Sequence, residues 1–379
     1  MPIACRYKTE HGKQFCQTDC PASAPCGVFQ YVRVEGPADL PPPEDRVLDV
    51  AILDMNHGWP NLGHDSLVHA VLDASCDLIP ALEGSGLQVR ALSYDVRRKG
   101  MVPEGPGGRF AMYIGTGGPG DLDPHRNDGR LEGSQGIEED PSWEPPLFSL
   151  FDAVVRDDHA SLLAVCHSFG VMCRWSGVAR PALRGPEKGG KSTGVLENIL
   201  TAEGQRHPWF RRFARELPDH RRLRVVDNRL FDLIPDPARF GPGLVPIARE
   251  TLGIGGPAGE ALTMLEFARD SGGTMPRVFG VNHHPEIVDR SRQLMILQQK
   301  LERGEVSREW HLERVEILTR TYPDENIDDR LHLTSDYTLL APLRFYLRRM
   351  VRQRAEALGL AVDVHEDQVL DVHEKSGVA

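Results

Sequence analysis

Three short apolar runs constrain this chain more than any other feature, because each ends in residues that can do chemistry. Residues 110–114, 162–165 and 278–281 have the length and continuous apolar character of buried parallel strands. The first runs into Gly117-Gly118-Pro119-Gly120, the second into Cys166 within Ala164-Val165-Cys166-His167-Ser168, and the third into His284-Pro285-Glu286. A thiol, an imidazole and a carboxylate carried at strand ends can converge at one edge of a parallel sheet. Together with a glycine loop they supply a nucleophile, a base, an orienting acid and oxyanion donors, which is what acyl transfer through a thioester requires.

The surrounding pattern supports such a sheet. Residues 47–54 read as a strand, 61–82 as a helix, 87–93 as a strand, and 143–158 contain a helix; another helix starts near Ser168. Strands alternating with helices predict an α/β fold, a mostly parallel sheet with helices on both faces. The stretch 184–261 is rich in glycine and proline and holds strand-like pieces at 223–226 and 244–248. A helical pattern at 287–302 follows His284, and charged helical segments fill 305–358. The expected organisation is a Cys- and Pro-rich N-terminal segment at 1–45, a catalytic domain at 46–304, and a helical C-terminal extension at 305–379.

Each motif has a structural and a chemical reading. Cysteine is often simply buried, but at a strand-to-helix turn its sulfur meets backbone N–H groups and the positive helix end, which favour thiolate. His284 with Glu286 two residues on provides a base and a group to hold its tautomer. The adjacent His283 lies on the opposite side of an extended chain and reads as structural. Gly117, Gly118 and Gly120 let backbone approach a reacting carbonyl, and the N–H of His167 is a further donor.

Four of the seven cysteines, Cys5, Cys16, Cys20 and Cys26, crowd the first 26 residues. Cysteines this close can hold a structural zinc in a reduced compartment, yet they lack paired C-x2-C spacing, and free thiols in a loop-rich segment are the other reading. An odd cysteine count does not suggest a disulfide framework. With 44 basic and 55 acidic residues the net charge is −11, which argues against nucleic acid or anionic membrane as a partner. No apolar run is long enough to span a bilayer, and a cytoplasmic protein is expected.

Taken together, these motifs resemble those of the class I (triad) glutamine amidotransferases, the type found as the glutaminase part of GMP synthase and as standalone proteins. Gly58-Trp59-Pro60-Asn61-Leu62-Gly63 is similar to a G-x-P-N-x-G stretch of standalone members, and His207-Pro208-Trp209-Phe210 to their H-P-L-F. The resemblance covers about 47–300 and implies a flavodoxin-like fold. It makes Cys166 the nucleophile, His284 the base, Glu286 its orienter, and Gly118 with the His167 N–H the oxyanion hole. It implies hydrolysis of glutamine to glutamate and ammonia with no cofactor required for catalysis. Such proteins usually hand ammonia to a synthetase; no synthetase motif is convincing here, so a separate partner or plain hydrolysis is implied.

One position departs from the family. Four residues past the cysteine stands Gly170 where a substrate-binding glutamine is usual, so a γ-glutamyl hydrolase or other amidase on a larger substrate is the alternative. A non-catalytic scaffold retaining the fold is a third reading. Cys166-His167 is also similar to the DJ-1/PfpI group, in which Asp54 would be the assisting carboxylate. Gly185-Pro186-Glu187-Lys188-Gly189-Gly190-Lys191-Ser192 matches a P-loop letter for letter but lacks the buried strand that should precede it.

Overall fold

A computed structural model describes residues 27–185, 190–251, 260–321 and 329–369. Ten strands form one sheet: β1 (Phe29–Val34), β2 (Val47–Asp54), β3 (Gln88–Asp95), β4 (Phe110–Gly115), β5 (Ser161–Val165), and, beyond a small two-stranded ribbon of β6 (Ala179–Leu183) and β9 (Phe231–Pro235), β7 (Ser192–Leu200), β8 (Arg222–Arg229), β10 (Val245–Thr251), β11 (Glu260–Arg269) and β12 (Pro276–Val281). Their order is β1-β3-β2-β4-β5-β12-β11-β10-β7-β8. From β1 to β12 the neighbours run parallel, and from β12 to β8 they run antiparallel.

Alternation along β2 shows how the sheet is buried on both faces. Val50 and Ile52 face one core with α1 (Leu62–Cys76) and its neighbours; Ala51 and Leu53 face a second core. The first core takes in Leu67 and Val71 of α1 and Leu343, Leu347 and Val351 of a long C-terminal helix. The second takes in Leu147, Phe151 and Val154 of α4 (Glu144–Arg156) and Phe169 and Met172 of α5 (His167–Ser176). Two helices lie between α1 and α4, α2 (Ile79–Ser85) and α3 (Val96–Lys99). The remaining helices are α6 (Ala202–Arg206), α7 (Phe210–Glu216), α8 (Arg290–Glu302), α9 (Arg308–Thr321), α10 (Asp329–Ser335) and α11 (Ala341–Ala357).

The expected α/β architecture is present, with three differences. Residues 61–82 form two helices rather than one, because the chain breaks at Asp77 and Pro80 opens α2. The helix expected from 287 begins at Arg290, after a 3-10 turn at Pro285–Ile287, where the Asp289 side chain accepts from Arg292 N at 3.0 Å. Strand β1, inside the segment read as Cys- and Pro-rich, pairs with β3 in the sheet. No helix among the described residues is long and apolar enough to cross a membrane.

Topology puts the three motifs together. The chain leaves β2 toward β3 on one side and leaves β4 toward β5 on the other, so the crevice between β2 and β4 is a topological switch point. Strands β4, β5 and β12 are adjacent and parallel, and their carboxyl ends deliver the glycine loop, Cys166 and His284 to one edge.

Candidate active site

Cys166 occupies the turn between β5 and α5 with φ +48° and ψ −100°. A non-glycine residue there is strained, and the strain is sustained by its surroundings. Cys166 N donates to Val281 O at 2.7 Å, and Ser168 donates to Thr116 O through both N (3.2 Å) and Oγ (2.7 Å). These bonds lock the elbow to the ends of β12 and β4.

His284 follows β12, and its Nδ1 lies 2.7 Å from Glu286 Oε1. Both residues are buried. Burial alone would push the His284 imidazole down, but the charges of Glu286 and Cys166 outweigh it and hold its pKa well above the ordinary value. With Nδ1 committed to Glu286, the buried Nε2 is left to the Cys166 thiol, whose charge and hydrogen bond help to raise the imidazole pKa.

Gly117 reports how closely the parts converge. A Cβ there would lie 2.9 Å from His284 Cε1 and 3.6 Å from Cys166 Cβ. At Gly118 a Cβ would fall 2.2 Å from Met55 O, so this loop passes flush against the end of β2 and admits only glycine. The N–H groups of Gly118 and His167 have no backbone acceptor among the described residues. Gly120 differs: its N–H donates to Gln135 Oε1 at 2.9 Å and its φ is +87°, so it serves the turn. The His167 ring is buried and held neutral, its pKa driven well down by burial and by Arg97, with a hydrogen bond to the Gly118 backbone partly opposing.

Gly58 to Gly63 sits beside Glu286. The Asn61 side chain caps α1 by accepting from Gly63 N at 2.6 Å and His64 N at 3.2 Å. A Cβ at Gly63 would lie 2.6 Å from Glu286 Oε1, so glycine here makes room for that carboxylate.

Several contributors were not legible in the sequence. Buried Arg97 donates through Nη1 to Met55 O (2.9 Å) and Pro119 O (2.6 Å), while Glu139 accepts from its Nε (2.6 Å) and Nη2 (2.7 Å). This fork pins the glycine loop to β2. Its partners come from three loops far apart in sequence, and no local pattern announces them. The β7–β8 ribbon extends past the sheet edge, where His284 N donates to Val226 O at 2.8 Å. Helix α9 roofs the site through Leu318, which packs with Val226 and Leu297. The resulting cavity of about 670 Å³ reaches from Cys166 and His284 to Trp59, Lys191 and Trp310.

Gly170 packs against Leu122. A Cβ there would lie 2.5 Å from Leu122 Cδ1, so the Leu122 side chain fills the space and lines the cavity in place of a polar group.

Other candidates resolve differently. His207 is structural: its Nδ1 accepts from Trp209 N at 3.1 Å, and Nε2 lies 2.8 Å from Glu266 Oε2. Asp54 is buried in an ion pair with Arg33 of β1 and accepts from Asn56 N at 2.9 Å, so it is spent on structural partners. Lys191-Ser192 opens strand β7 rather than a helix, which rules out a P-loop. Cys5, Cys16, Cys20 and Cys26 lie outside the described residues. Among the described residues no group of three or more histidine, cysteine or acidic side chains is arranged to hold a metal.

No family model and no curated protein matches this chain. Among solved structures, SMU.1228c is 14% identical with a TM-score of 0.40, covering 80% of this chain and 98% of its own. A protein described as one subunit of GMP synthase, from Thermoplasma acidophilum, is 11% identical with a TM-score of 0.35, covering 64% and 89%. A ThuA-like protein from Bacteroides uniformis is 10% identical with a TM-score of 0.33, covering 69% and 92%. At these levels the reading of the site rests on its own geometry.

Proposed function

We propose that this protein is a cysteine-nucleophile amidase acting on γ-carboxamides, with glutamine the simplest substrate. The observation that carries the proposal is the convergence at Gly117, where an added Cβ would meet both His284 Cε1 and Cys166 Cβ. In the proposed reaction the Cys166 sulfur attacks the amide carbonyl carbon, and the oxyanion is held by the N–H groups of Gly118 and His167. The C–N bond breaks as His284 gives its proton to the departing nitrogen. Water, deprotonated by His284, then attacks the thioester, releasing the carboxylic acid and the Cys166 thiol. Glu286 holds the ring orientation and stabilises the imidazolium throughout. The ammonia passes to solvent or to a separate synthetase.

Ammonia release from L-glutamine, compared between the wild type and Cys166→Ala, tests this. Release by the wild type alone supports the proposal. Equal release by both, or by neither, contradicts the glutaminase reaction as written.

A further inference from the structure

The cavity next to Cys166 differs in charge from the protein around it. The chain carries a net −11, yet the ionisable lining away from the catalytic groups is Lys191, Arg229, Arg314 and Arg320 against one carboxylate, Asp227. Two of the four cations are already matched. Arg229 Nη1 lies 2.9 Å from Asp227 Oδ2, and Arg320 Nη2 lies 3.0 Å from Glu316 Oε1 at the exposed rim. Lys191 and Arg314 pair with no carboxylate among the described residues; Arg314 instead lies 5.2 Å from the Trp310 ring centroid.

These two cations come from separate elements, β7's approach and the α9 roof, and meet over one cavity. Lys191 is exposed where it lines the cavity; partial desolvation and Arg314 lower its ammonium pKa, while Cys166 and Asp227 oppose that shift. A bound anion would relieve the repulsion between the cations.

Size points the same way. Glutamine has only about ten non-hydrogen atoms, and a site shaped to it alone would fall at the small end of ligand cavities. The cavity is about 670 Å³, within the range of about 300–1,000 Å³ for sites that enclose larger ligands. Glutamine is also a zwitterion, with a single carboxylate balanced by its own ammonium, and so does not match two free cations.

We infer that the physiological substrate is a γ-linked amide of net negative charge, whose leaving amine carries its own carboxylate between Lys191 and Arg314. This rests on the amidase reading and adds the leaving group to it. Hydrolysis then releases an amino acid rather than ammonia: the γ-C–N bond breaks, His284 protonates the amine, and water completes glutamate.

Purified protein would be assayed on γ-glutamyl-alanine and on γ-glutamyl-alaninamide, which are nearly isosteric and differ by that carboxylate. The expected kcat/KM ratio of acid to amide is about tenfold or more, the size of one charge-assisted hydrogen bond. Lys191→Met and Arg314→Met should each bring the ratio toward one, and Lys191→Arg should keep it above one. A wild-type ratio near one, or a ratio unmoved by either methionine variant, overturns the anion inference while Cys166-dependent hydrolysis leaves the amidase standing. Hydrolysis of neither compound while glutamine is still turned over overturns the anion inference alone, and turnover of none of the three, with no acylation of Cys166, overturns both.

Discussion

Glu286→Gln isolates the charge of the proposed orienting acid from its shape. Glutamine can still accept from His284 Nδ1 across the 2.7 Å contact, so geometry is retained and only the negative charge is lost. With charge centres about 4 Å apart and an effective dielectric of about 20, that charge stabilises the imidazolium by about 4 kcal/mol. With its pKa held high by Glu286 and Cys166, His284 takes the thiol proton in the resting pair and gives it to the departing amine, so losing the Glu286 charge depletes the thiolate–imidazolium pair from which attack begins. At 1.36 kcal/mol per factor of ten, kcat/KM should fall about a thousandfold. The assay is Cys166-dependent amide hydrolysis, read beside thermal unfolding to show that the variant folds. Burial, no longer outweighed by Glu286, should also move the His284 pKa downward from its raised position, shifting the pH profile of kcat/KM toward acid. Activity within about threefold of wild type would refute the assignment of Glu286 as orienter.

Three further outcomes follow from the structure. Gly118→Ala places a methyl 2.2 Å from Met55 O, so the loop must shift; kcat should fall by about 10²–10³, the cost of losing one oxyanion donor, while an unchanged kcat would remove Gly118 from that role. His283 is fully buried, and burial, with His284 and Arg229, lowers its pKa to about 3. The unfolded chain therefore binds a proton that the fold refuses, and stability drops as pH falls from about 6.5 toward about 3. In urea titrations across that range His283→Leu should lessen the slope by up to about 1.4 kcal/mol per pH unit; identical slopes would contradict the account. Arg277, buried at 1% exposure, donates through Nη1 to Val154 O (2.7 Å) and Ala160 O (2.8 Å) and through Nη2 to Val155 O (2.8 Å). Arg277→Leu leaves these carbonyls without a donor and should cost about 3 kcal/mol or more in chemical denaturation, with a loss below about 1 kcal/mol counting against it.

The parts of the fold that were legible in sequence are those where local pattern and tertiary environment agree. Strands β2, β4, β5 and β12 are buried on both faces, so their continuous apolar runs mark them directly. The turn residues that follow, Gly117-Gly118, Cys166 and His284, are conspicuous because such types rarely end a strand by accident. Asp289 as the start of α8 and Pro80 as the start of α2 were readable signals that the longer helical pattern obscured. Arg97 and Glu139 could not be found this way, since an arginine on a four-residue helix and a glutamate in a loop look like surface residues until the fold buries both. Lys191 was visible only as part of a false P-loop. Its place over Cys166 depends on the β7–β8 ribbon running beyond the sheet edge, which is a long-range pairing that no local period encodes.

The most direct test of the central claim is to quench turnover of a γ-glutamyl amide with acid and map acylated peptides by mass spectrometry. The account predicts a glutamyl mass increment on the peptide containing Cys166, absent from Cys166→Ala and enriched in variants slowed at deacylation. Turnover that persists in Cys166→Ala, or an acyl group carried by another residue, would contradict it.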